Sequence, residues 1–300
     1  MKIPILVLAF NRADHVAKAM EAIREYRPER LYLECDGARK NKAGETEAVA
    51  LTRKTMLDMV DWPCEVKTLF RDDNLGCANA VYGAITWFFE HEKWGVIIED
   101  DVVVGQDFFR LCEELLPRYA KEEKVMTISA ETRSPNVDCR FSYHYSYDFK
   151  CWGWATWARA WKYMDMRMTL WPTVSYLKVI KTFGFMKGIV QNYYWSTTYK
   201  HIETSTSWAT RFAFSVFAND GLNIIPSDNL AINIGMDGGT HYDESDAKLY
   251  SNNFIGSLNF PLVFNDSLKV NVRLMRLEEK HFFNLRMIGL KKKLKRMIHV

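Results

Sequence analysis

The chain has 300 residues, 48% of them hydrophobic and 26% charged, with a formal net charge of +3. This is the usage of a folded globular chain with room for a large core, which excludes disordered and fibrous classes, and so small a charge gives no ground for nucleic acid as a partner. Six cysteines (Cys35, Cys64, Cys77, Cys112, Cys139 and Cys151) are scattered without a C-x-x-C pair, so reduced thiols and a cytoplasmic setting are expected.

The run "IPILVLAF" near the N-terminus is too short to span a membrane and lacks a small-residue cleavage site, so it reads as a first strand. Further strands are predicted at "RLYLECDG", "CEVKTLFR", "GVIIEDDV" and "VMTISAE". The intervening stretches "ADHVAKAMEAIREY", "KAGETEAVALTRKTMLDMV", "NLGCANAVYGAITWFFEHE" and "DFFRLCEELLPRYAKE" carry apolar residues at helical spacing. In the third of these, Ala80, Ala84, Trp87 and Phe88 share a face. The alternation predicts a mostly parallel α/β sheet over residues 1–130. Ligands of such sheets bind beyond the carboxyl ends of the strands. There the chain places Phe10-Asn11-Arg12, Cys35-Asp36-Gly37, Arg71 to Asn74, and Glu99-Asp100-Asp101.

The stretch "VIIEDDVVV" sets three acids between two hydrophobic runs. Like charges this close repel and cost desolvation, so either all three escape into water or a cation sits among them. At a strand end the pleat relaxes, and two carboxylates can converge on one Mg2+ or Mn2+ whose remaining sites are filled by phosphate and water.

After residue 130 the alternation stops. "FSYHYSYDFKCWGWATWARAW" is aromatic and irregular, a mixed helical stretch follows to about 215, and then "LNIIPSDNLAINIGMDGGTHY". Trp154, Trp157 and Trp161 stand at helical spacing, for which core packing is the default. The tail "NLRMIGLKKKLKRMIHV" has six Lys and Arg and no acid. It reads as a solvated amphipathic last helix, or as one that lies peripherally on anionic lipid at the inner face of a membrane.

The ordered segments "PILVLAFNR", "LECDG", "RDDNLG", "VIIEDDVVVGQDFF", "CWGWATW" and "SDNLAINIGMDGGTH" resemble the GT-A glycosyltransferases over roughly residues 3–242. The likeness is to bacterial nucleotide-diphospho-sugar transferases of the hemolytic-protein-like kind and, more distantly, to the Golgi N-acetylglucosaminyltransferase that starts complex N-glycans. The resemblance implies a Rossmann-like GT-A domain over 1–255, with a nucleotide-sugar half (1–130), a smaller irregular acceptor half (131–255) and a C-terminal extension (256–300). It implies transfer of a sugar from a nucleotide-diphosphate donor, a UDP-sugar, to a glycan or lipid-linked glycan acceptor, dependent on Mn2+ or Mg2+ and inverting the anomeric carbon.

Carried over residue by residue, the resemblance sets Asn11, Arg12 and Asp36 around the nucleobase and ribose, and Arg71 and Asn74 against the donor. It sets Asp101 on the metal, Asp100 near the donor ribose or sugar, and Glu99 between them. His241, with the weaker Asp237, is a candidate second metal ligand, and Trp152-Gly153 face donor and acceptor. Plainer roles stand beside these: Asn74 as a helix cap, Arg71 paired with Asp72 or Asp73, and Asp36 as a turn residue.

Inversion needs a carboxylate to take the acceptor proton. The resemblance puts an Asp directly after Trp208, where this chain has Ala209. Glu203 and Asp220 are the nearest acids before and after it, and Glu203 also reads as a solvated helix acid. A sugar-phosphate nucleotidyltransferase is disfavoured because no glycine-rich basic loop follows "LVLAF". A non-catalytic nucleotide-sugar-binding subunit is the alternative that Ala209 keeps open.

Overall fold

The computed structural model describes residues 2–137, 140–235 and 254–278. Its first part alternates strand and helix: β1 (Ile5–Ala9), α1 (Ala13–Tyr26), β2 (Arg30–Cys35), α2 (Glu45–Asp58), β3 (Glu65–Phe70), α3 (Cys77–His91) and β4 (Trp94–Glu99). A short β5 (Val102–Val104), α4 (Gln106–Arg118) and β6 (Val125–Ser129) follow. The aromatic region forms β7 (Tyr143–Ser146), β8 (Trp154–Trp157) and α5 (Ala158–Trp161). Then come α6 (Tyr176–Phe183), α7 (Phe185–Lys200), α8 (Trp208–Ala218), β9 (Leu222–Pro226) and β10 (Ala231–Asn233).

Eight strands form one sheet in the order β3-β2-β1-β4-β8-β6-β9-β7, and β5 pairs with β10 in a separate two-stranded ribbon. β1, β2, β3, β4, β6 and β9 run one way, while β8 and β7 run against them. The fold is therefore a mixed α/β layer structure with a large, mostly parallel sheet between helices. Because helices cover both faces, β1 is apolar at every position and buried throughout.

Alternation along the strands sends residues to two cores. Ile5, Val7, Val96 and Ile98 meet Val16, Met20 and Ile23 of α1 and Phe108, Phe109 and Leu115 of α4. Leu6, Leu8 and Ile97 meet Ala84, Ile85 and Phe88 of α3 and Trp208, Phe212 and Val216 of α8. A third cluster joins Val179 and Phe183 of α6 and Trp195 of α7 to Phe214 and Phe217, on the other side of α8.

The tryptophan spacing misleads about local structure. Trp154 and Trp157 lie on strand β8, three residues apart and therefore on opposite faces: Trp154 packs with Leu8 and Phe212, Trp157 with the α1 and α4 core. The expected core role holds, but a β-branched neighbour and pairing with both β4 and β6 make the segment a strand. Residues 263–271 run along the sheet edge at β7. Ser142 N donates to Val263 O at 2.9 Å, Asn271 N to Tyr145 O at 3.1 Å, and the Tyr145 hydroxyl to Asn265 O at 2.7 Å. An edge strand left open would offer its backbone to another chain.

Trp154 is wholly buried, stacked on Trp208 with ring centroids 5.6 Å apart and edged by Phe149 at 5.1 Å. Trp154→Ala is expected to cost about 3–5 kcal/mol, read as a lowered urea midpoint at unchanged slope.

Candidate functional site

Winding from β1 to β2 and β3 proceeds one way, and β4 then lies on the other side of β1. A crevice opens at the carboxyl ends of strands at such a switch point. The register Leu8↔Glu99 brings the ends of β1 and β4 side by side there. Arg12, which caps α1, reaches across: its Nη2 donates to Asp100 Oδ1 and, at 2.9 Å, to Asp101 Oδ2, and its Nε donates to Asp100 Oδ2 at 3.3 Å. The chain thus supplies one cation of its own to the acid turn.

One guanidinium leaves three carboxylates short of neutral. Partly buried Glu99 accepts no hydrogen bond among the described residues. Burial, with Asp101 and Asp100 alongside, pushes its carboxyl up to about 8 against the pull of Arg12. Burial likewise pushes Asp100 up to about 6, again with Arg12 opposing.

Asp101 is gripped from the far side by the end of β10. Asn233 Nδ2 donates to Asp101 Oδ1 at 3.3 Å and Ile234 N to Asp101 O at 2.8 Å. A Cβ on Gly235 would run into the Asp101 side chain, so any larger residue would have to displace that carboxylate. His241 and Asp237 lie outside the described residues.

At the neighbouring strand ends the structure brings Asp36 and Asn74 together. Buried Asp36 accepts from Gly37 N and Leu75 N at 3.0 Å, Gly76 N at 3.1 Å and Asn74 Nδ2 at 3.0 Å, clamping the loop after β3 onto the end of β2. Asn74 is not the cap of α3: that helix begins at Cys77 behind Gly76, and the Asn74 amide is turned toward Asp36 and the Gly37 carbonyl. Nor does Arg71 pair with its neighbours. The register Cys35↔Phe70 sets it over β2, where it pairs with buried Glu34, while Asp73 pairs with Lys40 at 3.0 Å. Burial raises the Glu34 carboxyl, with Arg71 opposing. Asn11 Nδ2 donates to Glu45 Oε1 at 3.1 Å.

Trp152 and Gly153 reach the same edge because β8 runs against β4. The pairing Ile97↔Trp154 leads the residues before Trp154 back toward Glu99. Gly153 sits at φ +67°, in the left-handed region, with its carbonyl accepting from Ala130 N at 2.7 Å. Between the ends of β4 and β6 lies Cys151, whose thiol is raised by burial and by the charges of Glu99 and Glu131.

Glu131 is a further acid at this strand edge that the sequence did not single out. It is buried two residues past β6 and paired with Arg133 at 2.8 Å. The strand-end rule that picks out Asp36 and Glu99 also picks out this acid, the last letter of "VMTISAE".

Glu203 and Asp220 are not brought to the crevice by any contact. Glu203 is exposed and paired with Arg167 at 2.9 Å; Asp220 is exposed past α8 and paired with Lys178 at 2.9 Å. Among the described residues neither has a hydrogen bond or ion pair to the acid turn. Ala209 packs against the second core.

Behind Glu131 lies a buried charged network. Lys150 pairs with Glu278 at 2.7 Å and Lys187 with Asp148 at 3.2 Å, while Glu278 also accepts from Thr132 Oγ1 and from Arg133 N at 3.1 Å. Burial works against ionised Asp148, but Lys187, Lys150 and Arg133 outweigh it and hold the carboxyl at about 2.

Among the described residues no helix is long and apolar enough to cross a membrane, and no three or more His, Cys, Asp or Glu form a metal cage. No family model matches the chain and no curated protein matches its sequence. Among solved structures, the chain is similar to the glycosyltransferase GlyE of Streptococcus pneumoniae TIGR4, at 11% identity and TM-score 0.31, over 58% of this chain and 41% of that one. It is also similar to a UDP-glucose pyrophosphorylase complexed with UDP-glucose, at 10% identity and TM-score 0.37, over 78% and 94% of the two chains. A third is the inositol-1-phosphate CTP transferase from T. maritima, at 12% identity and TM-score 0.36, over 83% and 95%.

Lys150→Met is expected to cost about 3–5 kcal/mol in urea melts at neutral pH, because it strands Glu278. Burial opposes ionised Glu278, yet Lys150, His144 and Thr132 keep its carboxyl below the usual range. Its contribution is therefore present above the ordinary carboxyl pKa and is lost as pH falls through the lowered one. In the variant the stranded acid protonates more readily, so the difference from wild type should shrink on acidification.

Proposed function

We propose that this chain is a nucleotide-sugar transferase of the GT-A kind, moving a sugar from a nucleotide-diphosphate donor, a UDP-sugar, to a glycan or lipid-linked glycan acceptor with inversion. The observation that carries the reading is the acid turn at the switch point. Glu99, Asp100 and Asp101 follow one another there with a single guanidinium bridging the last two, and the Glu99 carboxylate accepts no hydrogen bond among the described residues.

That donor set fits a Mn2+ or Mg2+ ion. Asp101 and Glu99 would hold it, with His241 as a further proposed ligand, and the few protein ligands suit an ion whose other sites are filled by diphosphate and water. When bound, such an ion offsets charge on a departing nucleoside diphosphate. Arg12 fixes the Asp100 and Asp101 carboxylates in place. Asp36, Asn74 and Arg71 lock the loops that would border the nucleoside, with Asn11 at their edge. Trp152 and Gly153 would present a flat apolar face and an uncluttered backbone to the pyranose.

For the proton on the acceptor hydroxyl, Glu131 is the better-placed acid. The strand pairing Ser129↔Trp154 brings the end of β6 beside Trp152 and Gly153, and Arg133 orients the carboxylate. Glu203 and Asp220 remain the rival bases, each held by a surface cation. The alternative reading, a nucleotide-sugar-binding subunit without turnover, is favoured by Ala209, which has no carboxylate to offer.

The test is release of nucleoside diphosphate from a panel of nucleotide sugars, with Mn2+ or with chelator. Metal-dependent release is expected, reduced on the order of 100-fold or more in Asp101→Ala. Glu131→Gln should lower kcat about 100-fold with donor KM little changed, and Glu203→Gln should behave as wild type. A donor that binds but is never turned over, with acceptor glycans present, would reduce the reading to nucleotide-sugar binding.

A further inference from the structure

The α6–α7 hairpin carries an exposed apolar stripe. On α7, Phe185, Met186, Ile189 and Tyr193 fall within about 100° of the helix circumference. All four are exposed, Phe185 at 68% and Tyr193 at 66%. Leu177 near the start of α6 is exposed at 65%. A different side of α7 is its packing face, with Asn192 and Trp195 buried and Gly188 set directly against Ile180 of α6. The stripe is thus surplus to the packing of the hairpin.

The charge of this region is one-sided as well. From Met166 to Ile202 the chain has Arg167, Lys178, Lys181, Lys187 and Lys200 and no Asp or Glu. Carboxylates from elsewhere in the chain pair with three of these cations: Asp220 with Lys178, Asp148 with Lys187 and Glu203 with Arg167. Exposed Lys181 and Lys200 have no carboxylate partner among the described residues.

We propose that the α6–α7 hairpin docks on an anionic lipid bilayer, with Phe185, Met186, Ile189 and Tyr193 in the headgroup–acyl boundary and Lys181 and Lys200 among the lipid phosphates. A second copy of the chain is a poorer occupant. A twofold contact would set the patch against itself, cation facing cation, with no acid between Met166 and Ile202 to offset them. A headgroup layer supplies the missing anions. This surface is distinct in the chain from the basic tail at Lys291 to Arg296, so the two are separable by mutation.

The test is flotation of the full chain with vesicles of phosphatidylcholine, alone or mixed with phosphatidylglycerol. The wild type is expected to float with the mixed vesicles. Phe185→Ser, Ile189→Ser and Tyr193→Ser together should weaken this at least about tenfold. Lys181→Glu with Lys200→Glu should weaken it on mixed vesicles, and a chain ending before Lys291 should keep the hairpin-dependent part. Unchanged circular dichroism and Tm show that the variants remain folded. The proposal is overturned if the serine variant floats as the wild type does, or if the wild type floats with neither vesicle. It is equally overturned if the serine substitutions dissociate a dimer of a chain that ignores lipid, which would assign the stripe to a second copy.

Discussion

Charge at the end of β4 is the constraint around which the carboxyl edge of the sheet is built. Three successive carboxylates repel one another, and taking them even partly out of water raises the cost. Arg12 offsets part of that cost from the end of the adjacent strand, bridging Asp100 and Asp101. Such a bridge requires β1 and β4 to be parallel neighbours with matched ends, which the register Leu8↔Glu99 provides. The sheet order therefore determines the electrostatics of the turn.

The rest of the crevice follows from strand direction. β8 runs antiparallel between β4 and β6, so its beginning, not its end, lies at the carboxyl edge. That places Trp152 and Gly153 between the acids after β4 and Glu131 after β6. β10 pairs with β5 and then presses its following loop onto Asp101, where a side chain at Gly235 would have to displace the carboxylate. Residues more than a hundred positions apart share one small volume as a result.

The buried ion pairs beside Glu131 tie distant parts of the chain to this edge. Glu278, which follows the segment along β7, meets Lys150, Thr132 and Arg133, and Asp148 meets Lys187 on α7. Buried pairs add little net stability compared with apolar packing, but breaking one is costly, so they fix position more than they strengthen the fold. The hairpin and the segment along β7 are both held in place through charges next to the crevice.

The sequence by itself determined the first four strand and helix units and the set of polar groups at their ends, since period and strand-end chemistry are local properties. "ADHVAKAMEAIREY" is α1, and Arg12, Asp36 and the acid turn stand at the strand ends where they were expected. Pairing was not local. Arg71 reaches Glu34 and Asn74 reaches Asp36 across parallel strands, so neighbours in sequence gave the wrong partners. The Trp154–Trp157 spacing suits a helix or a strand, and only insertion between β4 and β6 made it a strand. Tertiary structure alone also paired Glu203 and Asp220 with surface cations and set Glu131 at the same sheet edge, across β8 from the acid turn, because a sheet edge gathers strand ends by their order in space rather than along the chain.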